Sequence, residues 1–121
     1  MIYTSYFGKL KKIPDSIILI AICAKCPEWY MGLTYKKLAP SYQILMDWKK
    51  TKNEEQYIRD FNEQILGKLD VKQVCQELQD LAQNQKIVLL CYERAEDFCH
   101  RHLVAKWMRD NGIDCGEWKE L

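Results

Sequence analysis

Two adjacent segments near the C-terminus contain most of the side chains that commonly do chemistry in proteins. The apolar run Val88–Leu90 ends in Cys91-Tyr92-Glu93, and after a short polar turn Asp97 starts a predicted helix bearing Cys99-His100-Arg101-His102 in its first turn. If the apolar run is a buried parallel strand, these groups meet at its carboxyl end, where open α/β sheets bind their ligands. The sequence therefore predicts a ligand site at this edge of the sheet.

The start of this predicted helix is suited to binding an anion. The first turn of a helix presents N–H groups and a partial positive charge, and Arg101 adds a planar set of donors for phosphate or carboxylate. Side chains at the ends of the other segments would complete the ligand contacts: Tyr3, Ser5, Cys91 and Tyr92. We predict that the partner is a small anionic molecule, with a nucleotide as one candidate.

Three of the residues are candidates for catalysis. A thiol at a helix N-terminus ionises more readily, so Cys99 is a candidate nucleophile with His100 as its base. Glu93, at the strand end, is a candidate general acid or base, or a group that orients Arg101. The structural alternatives are a core histidine at 100 and a simple Glu93–Arg101 ion pair, so the sequence leaves open whether the protein is an enzyme.

Metal binding is an alternative chemistry for the cysteines. Cys23-Ala24-Lys25-Cys26 has the spacing of a zinc knuckle and follows an apolar run, so it could face Cys91 and Cys99 across the sheet end. The latter two lie eight residues apart, however, and Pro27 stiffens the knuckle. Zinc at Cys23 and Cys26 is therefore not favoured, and no cofactor is predicted. A redox dithiol is the other alternative, although Pro27 does not match the thioredoxin arrangement.

Composition places the chain among ordinary globular proteins. Its 121 residues, 48% apolar and 29% charged, predict a single domain over residues 1–121. The apolar run at residues 17–23 is far too short to span a membrane, and no export signal precedes it. We therefore expect a cytoplasmic protein without membrane association, whose six cysteines are reduced.

The charges are distributed unevenly, which suggests a second class of function. Residues 1–53 carry nine lysines and three acidic residues, a net charge of +6, and eight of the fourteen aromatic residues. Lysines interleaved with aromatic rings can hold phosphates and stack bases, although lysine stems also cover aromatic cores. A non-catalytic nucleic-acid or protein-binding module is therefore the alternative to a small-molecule site. The sequence does not indicate an oligomeric state.

Hydrophobic periodicity predicts alternating strands and helices. The predicted strands share short apolar runs and lie at residues 2–5, 16–23 and 86–93. The predicted helices start near Ser41, after a polar break at residues 51–53, at Asp70, and at Asp97, the last ending before Gly112. Residues 24–40 read as a long loop that is functional or partly helical, and residues 113–121 as a short edge strand or a packed arm.

This order predicts a three-layer α/β domain with a small, mostly parallel sheet flanked by helices. We expect the first strand to lie between the second and third, which would make the ends at Ser5, Cys23 and Cys91 neighbours.

The sequence also resembles a known family. Cys91-Tyr92-Glu93 together with the run Cys99–Ala105 is similar to the closing motif of the domain-of-unknown-function 488 family. Tyr35–Ser41, Trp48 and the segment Phe61-Asn62-Glu63 resemble its YeaO-like branch. The resemblance covers nearly the whole chain and implies a small α/β domain with a shared site at the end of its last strand. It implies no particular activity, and Cys26 is not among the matching residues.

Overall fold

A five-stranded parallel sheet forms the centre of the molecule. The computed structural model describes residues 2–93 and 98–119. The strands are β1 (Ile2–Tyr6), β2 (Ile18–Ala21), β3 (Leu33–Thr34), β4 (Ile87–Cys91) and β5 (Cys115–Glu117). They are ordered β3-β2-β4-β1-β5, and each neighbouring pair is parallel. The predicted α/β class is confirmed, with a sheet that is parallel throughout.

The strand order corrects one expectation. The central strand is β4, with β1 on one side and β2 on the other, so the prediction that the first strand separates the other two is wrong. All five residues of β4 are buried, as expected for a strand that is covered on both faces and both edges. β2 is also strongly apolar, and local apolarity does not distinguish a central strand from its neighbour. The β4 end at Cys91 lies beside Tyr6 of β1, and Leu90 lies beside Ala21 of β2.

Within residues 2–93 and 98–119, four α-helices accompany the sheet: α1 (Tyr42–Thr51), α2 (Glu54–Gln64), α3 (Val71–Leu81) and α4 (His100–Asp110). Ser41 caps α1, as predicted, because its Oγ accepts a hydrogen bond from the Ile44 N–H at 3.2 Å. Asp70 caps α3 in the same way, accepting from the Lys72 N–H at 2.9 Å. Within the segment predicted to be a long loop, the structure has β3 and a 3-10 helix at Lys36–Leu38.

Both faces of the sheet are covered, which gives the domain its three layers, and the two covering layers differ in kind. On one face Ile20, Ile87 and Leu89 pack with residues of all four helices, such as Phe61 of α2 and Met108 of α4. On the other face the covering layer is a 3-10 helix at Phe7–Lys12 together with loop and tail residues. There Ala21, Val88 and Leu90 pack with Phe7, Ile13 and Trp118. Among the described residues, no helix has the length and apolarity needed to cross a membrane.

The last helix and the tail frame the predicted site. Asp97, the predicted helix start, lies outside the described residues, and α4 begins at His100 with Cys99 in the N-cap position. The helix ends before Gly112, whose φ of 81° is the left-handed conformation predicted for a C-terminal cap. The tail then forms the edge strand β5 beside β1, which confirms the first of the two expectations for residues 113–121.

Candidate functional site

A cavity of about 280 Å³ opens beside the carboxyl ends of β2 and β4. One part of its lining is apolar or aromatic: Pro40, Leu45, Trp48, Tyr57 and Phe98. A second part is charged or titratable: Lys25, Lys49, Glu93 and His100. The remaining lining residues are Cys23, Ala24, Cys91, Tyr92 and Cys99.

The aromatic wall is built by residues from different elements. Trp48 of α1 and Tyr57 of α2 meet with ring centroids 5.8 Å apart, and Phe98, just before α4, lies 4.9 Å from Trp48 and 5.0 Å from Tyr57. Burial and the nearby negative charge of Glu93 raise the pKa of Tyr57, so its hydroxyl stays protonated. The wall is a flat, apolar surface that suits a planar ring.

His100 is a buried titratable group that lines the cavity. Its Nε2 lies 2.8 Å from the carbonyl oxygen of Ile22, at the end of β2. A carbonyl only accepts, so Nε2 carries the proton, and Nδ1 of the neutral ring is left with its lone pair 3.8 Å from the Cys99 sulfur. Burial, with a smaller contribution from the positive charge of Arg101, lowers the pKa of His100 to about 4. Near neutral pH the ring is therefore neutral and Nδ1 is able to accept a proton.

Arg101 lies behind the cavity and does not line it. It is fully buried, and its Nε and Nη2 donate to the two carboxylate oxygens of Glu117 at 3.1 and 2.9 Å. Its Nη1 donates to the Glu93 carbonyl oxygen and to the Cys91 sulfur, the latter at 3.2 Å. The acidic partner of Arg101 is thus Glu117 of β5, while Glu93 contributes its backbone and leaves its carboxylate at the cavity.

Two cysteines of the predicted site are joined. Cys91 and Cys99 form a disulfide, so the expectation of reduced thiols is wrong for this pair, whereas Cys23, Cys26, Cys75 and Cys115 are free. The expectation of reduced thiols is based on cellular compartment alone. The pairing depends on the end of β4 facing the start of α4, which that argument does not include. Cys99 remains a predicted nucleophile for the reduced protein, since a disulfide sulfur has no thiolate to offer.

The ligand atoms of Cys91, Cys99 and His100 lie within 4.8 Å of one another, close enough to hold a metal ion once both thiols are reduced. The Cys23 and Cys26 sulfurs are 3.7 Å apart. Burial and the adjacent Cys26 raise the pKa of Cys23 to about 12, so without a metal this thiol stays protonated near neutral pH. Zinc at this pair stays a prediction.

The structure brings together some of the predicted site residues and separates others. Cys91, Tyr92, Glu93, Cys99 and His100 line the cavity. Ser5 and Tyr3 do not line it, because β1 lies on the far side of β4 from β2. Ser5 is buried with its Oγ unpartnered among the described residues, and Tyr3 lines a separate hollow of about 600 Å³ with Lys12, Lys86 and Lys119.

Sequence reasoning missed the aromatic wall and the lysine beside it. Trp48 lies on α1, Tyr57 on α2 and Phe98 just before α4, and the sequence pattern does not link the three. A signal was nevertheless present, since Trp48-Lys49 combines a ring and a cation one turn from the end of a helix. Spacing along one helix cannot show that residues from α1, α2 and the segment before α4 form one surface.

The fold and the cavity define a class: a three-layer parallel α/β protein with a candidate site at the carboxyl edge of its central strand. The chain matches the family model described as DUF488-N3a, the active DUF488-N3 subclade, over residues 17–112. It therefore belongs to the domain-of-unknown-function 488 family, as the Cys-His-Arg motif predicted, while the YeaO-like branch remains a prediction. No curated protein and no solved structure matches the chain.

Proposed function

We propose that the protein is an enzyme that binds a small anionic, nucleotide-like molecule in the cavity at the carboxyl ends of β2 and β4. The observation that carries the proposal is the combination of one aromatic wall, two lysines and two proton-transfer groups around about 280 Å³. That volume is close to the lower end of the roughly 300–1,000 Å³ typical of small-molecule sites. Every lining residue also falls within residues 17–112, the range that matches the subclade described as active.

Each part of the cavity has a distinct role in this proposal. Trp48, Tyr57 and Phe98 stack on the ring of the ligand. Lys25 and Lys49 neutralise its phosphate or carboxylate, aided by the partial positive charge at the start of α4. Arg101 has its donors on protein groups, so we assign it a positioning role instead of the predicted direct contact with the anion.

Proton transfer is assigned to Glu93 and His100. The neutral imidazole offers Nδ1 as a base, and its Nε2 bond to Ile22 keeps the ring oriented. Glu93 is exposed at the cavity, so its carboxylate is accessible to solvent, whereas the His100 ring is buried. Two titratable groups in unlike environments are the usual basis of general acid–base catalysis.

The first test is binding. A thermal-shift screen of nucleosides, nucleotides and sugar phosphates on the wild-type protein should find compounds that raise the melting temperature. Lys49→Gln should weaken binding of the phosphorylated hits by roughly tenfold, a loss of about 1.4 kcal/mol. Lys50→Gln is the matched control, because Lys50 is exposed at the next position of α1 and does not line the cavity. If nothing binds, or both variants behave alike, the cavity proposal fails.

The second test is turnover of the compounds that bind. Mass spectrometry of each mixture should reveal a product, and Glu93→Gln should lower its rate of formation by roughly 10²- to 10⁴-fold with little change in affinity. Binding without any product would leave a binding protein and refute the enzymatic part alone.

A second candidate function, a single-stranded nucleic-acid interface, is favoured by one surface feature. The Phe7 ring is contacted edge-on by Trp29, Tyr30 and Tyr92, with centroids 5.8, 5.3 and 5.2 Å away. Trp29 is 62% exposed and Tyr92 48%, so both rings are available for stacking. Fluorescence anisotropy with labelled single-stranded oligonucleotides tests this candidate, because phosphate-backbone binding should weaken steeply between 50 and 200 mM salt, by roughly 300-fold for six contacts.

A further inference from the structure

The disulfide lies in the wall of the cavity, although both of its cysteines are otherwise enclosed. Cys91 is completely buried and Cys99 is 3% exposed, yet both line the cavity. The cavity therefore gives small molecules a route to the disulfide. This position differs from that of Cys75 and Cys115, which are free thiols outside the lining.

Each sulfur of the pair has its own basic partner. Arg101 Nη1 lies 3.2 Å from the Cys91 sulfur, and His100 Nδ1 lies 3.8 Å from the Cys99 sulfur. Both partners are held in place by other bonds, Arg101 by Glu117 and His100 by the Ile22 carbonyl. A guanidinium stabilises a thiolate, and an unprotonated imidazole accepts the proton of an incoming thiol. These are the two functions that opening a disulfide by thiol exchange requires.

We propose that Cys91 and Cys99 form a reversible thiol–disulfide redox site that exchanges two electrons with small thiols of the glutathione class. A thiol RSH enters the cavity and transfers its proton to His100 Nδ1, and the thiolate attacks the Cys99 sulfur. The S–S bond breaks and Cys91 leaves as a thiolate beside Arg101, which leaves Cys99 in a mixed disulfide with R. A second RSH then attacks the sulfur of the first thiol in this mixed disulfide, which forms RSSR and releases Cys99 as a thiol.

The protons and electrons of this exchange balance. The two RSH molecules become RSSR and give up two electrons and two protons. The electrons reduce the disulfide, and the protons reach Cys91 and Cys99 as thiols, one of them by way of His100. Oxidation by RSSR is the exact reverse. The site is independent of the ligand proposed above, because it needs the cavity and the two basic partners but no nucleotide and no role for Glu93.

The test is a redox titration of the folded protein in glutathione buffers, followed by acid quenching, alkylation and tryptic mass mapping. Trypsin cuts at Lys86, Arg94 and Arg101, so Cys91 lies in peptide 87–94 and Cys99 in peptide 95–101. The oxidised protein gives the two peptides linked, and the reduced protein gives them separately alkylated. We expect the linked fraction to fall and return with the glutathione ratio, equally in Cys75→Ser, while circular dichroism shows a folded protein throughout.

A variant separates this mechanism from a merely accessible disulfide. In His100→Gln the amide nitrogen can still donate to the Ile22 carbonyl, but the base at the Nδ1 position is gone. Reduction by glutathione should slow by roughly tenfold to a hundredfold, with little change in the linked fraction at equilibrium. The proposal is overturned if the pair stays linked in fully reducing buffer, if no linked peptide reforms on oxidation, if the reduced chain unfolds, or if His100→Gln reacts at the wild-type rate.

Discussion

Protonation of His100 should destabilise the folded protein as the pH falls. Its pKa is about 4 in the folded state, below the ordinary value of 6.5, chiefly because the ring is buried. Between these values the unfolded chain binds a proton that the folded chain does not, so added protons favour unfolding. The stabilisation is present above pH 6.5, decreases as the pH falls toward 4, and is fully lost below that value.

The magnitude follows from the shift. One pKa unit corresponds to about 1.4 kcal/mol, so the full difference between 6.5 and about 4 represents on the order of 3 kcal/mol. The difference in bound protons between the unfolded and folded chains gives a loss of about 2 kcal/mol in the free energy of unfolding between pH 7 and pH 5. For a domain whose total stability is roughly 5–15 kcal/mol, this is a measurable fraction.

Urea unfolding followed by tryptophan fluorescence at pH 7, 6 and 5, with the disulfide kept oxidised, measures the effect. The reference is His100→Gln, which preserves a donor for Ile22 and every other titrating group. The wild-type protein should lose about 2 kcal/mol more than the variant between pH 7 and 5. If the difference between the two proteins is the same at all three pH values, His100 titrates alike in both states, and neither its burial nor its bond to Ile22 controls its charge.

Two further substitutions test the framework of the site. Glu117→Gln should lower the free energy of unfolding by on the order of 2 kcal/mol, because it leaves the fully buried Arg101 without its ionic partner. Breaking a fully buried ion pair costs roughly 3–5 kcal/mol, and we expect less here because the Glu117 side chain is 21% exposed. Urea unfolding alongside Glu28→Gln checks this, and equal values would show that other groups hold the Arg101 charge. Ser41→Ala should cost about 1 kcal/mol through loss of the α1 cap, with Ser16→Ala, outside the helices, as control in the same assay. An unchanged midpoint would mean that water replaces the cap.

Local chemistry of the chain predicted many of the elements. The helix ends were predictable because a cap depends on only a few neighbouring residues. The structure has N-caps at Ser41 and Asp70, and Gly112 adopts the left-handed conformation after α4. The apolar run ending at Cys91 predicts a buried strand, and β4 confirms it. The same reasoning placed Cys91, Glu93 and His100 at one edge of the sheet, and the structure brings them to one cavity.

What the sequence could not predict depends on contacts between distant segments. Two equally apolar runs do not show which strand is central, so the order around β4 was predicted wrongly. Arg101 looked free to bind an anion, because its partner Glu117 lies 16 residues away in a strand formed by the tail. The aromatic wall likewise needs α1 and α2 to pack together, and no periodicity within either helix contains that information.

The edge strand β5 links local unfolding of the tail to the reactivity of the disulfide. Thr4 donates to Glu117 at 2.8 Å, Glu117 pairs with Arg101, and Arg101 donates to the Cys91 sulfur. A strand of three residues at a sheet edge belongs to the least protected part of a fold and opens more readily than the core. Each opening removes Glu117 from Arg101, and the guanidinium then holds an uncompensated charge beside Cys91. Hydrogen exchange of the β5 amides therefore reports a motion that sets the electrostatic environment of a sulfur two strands away.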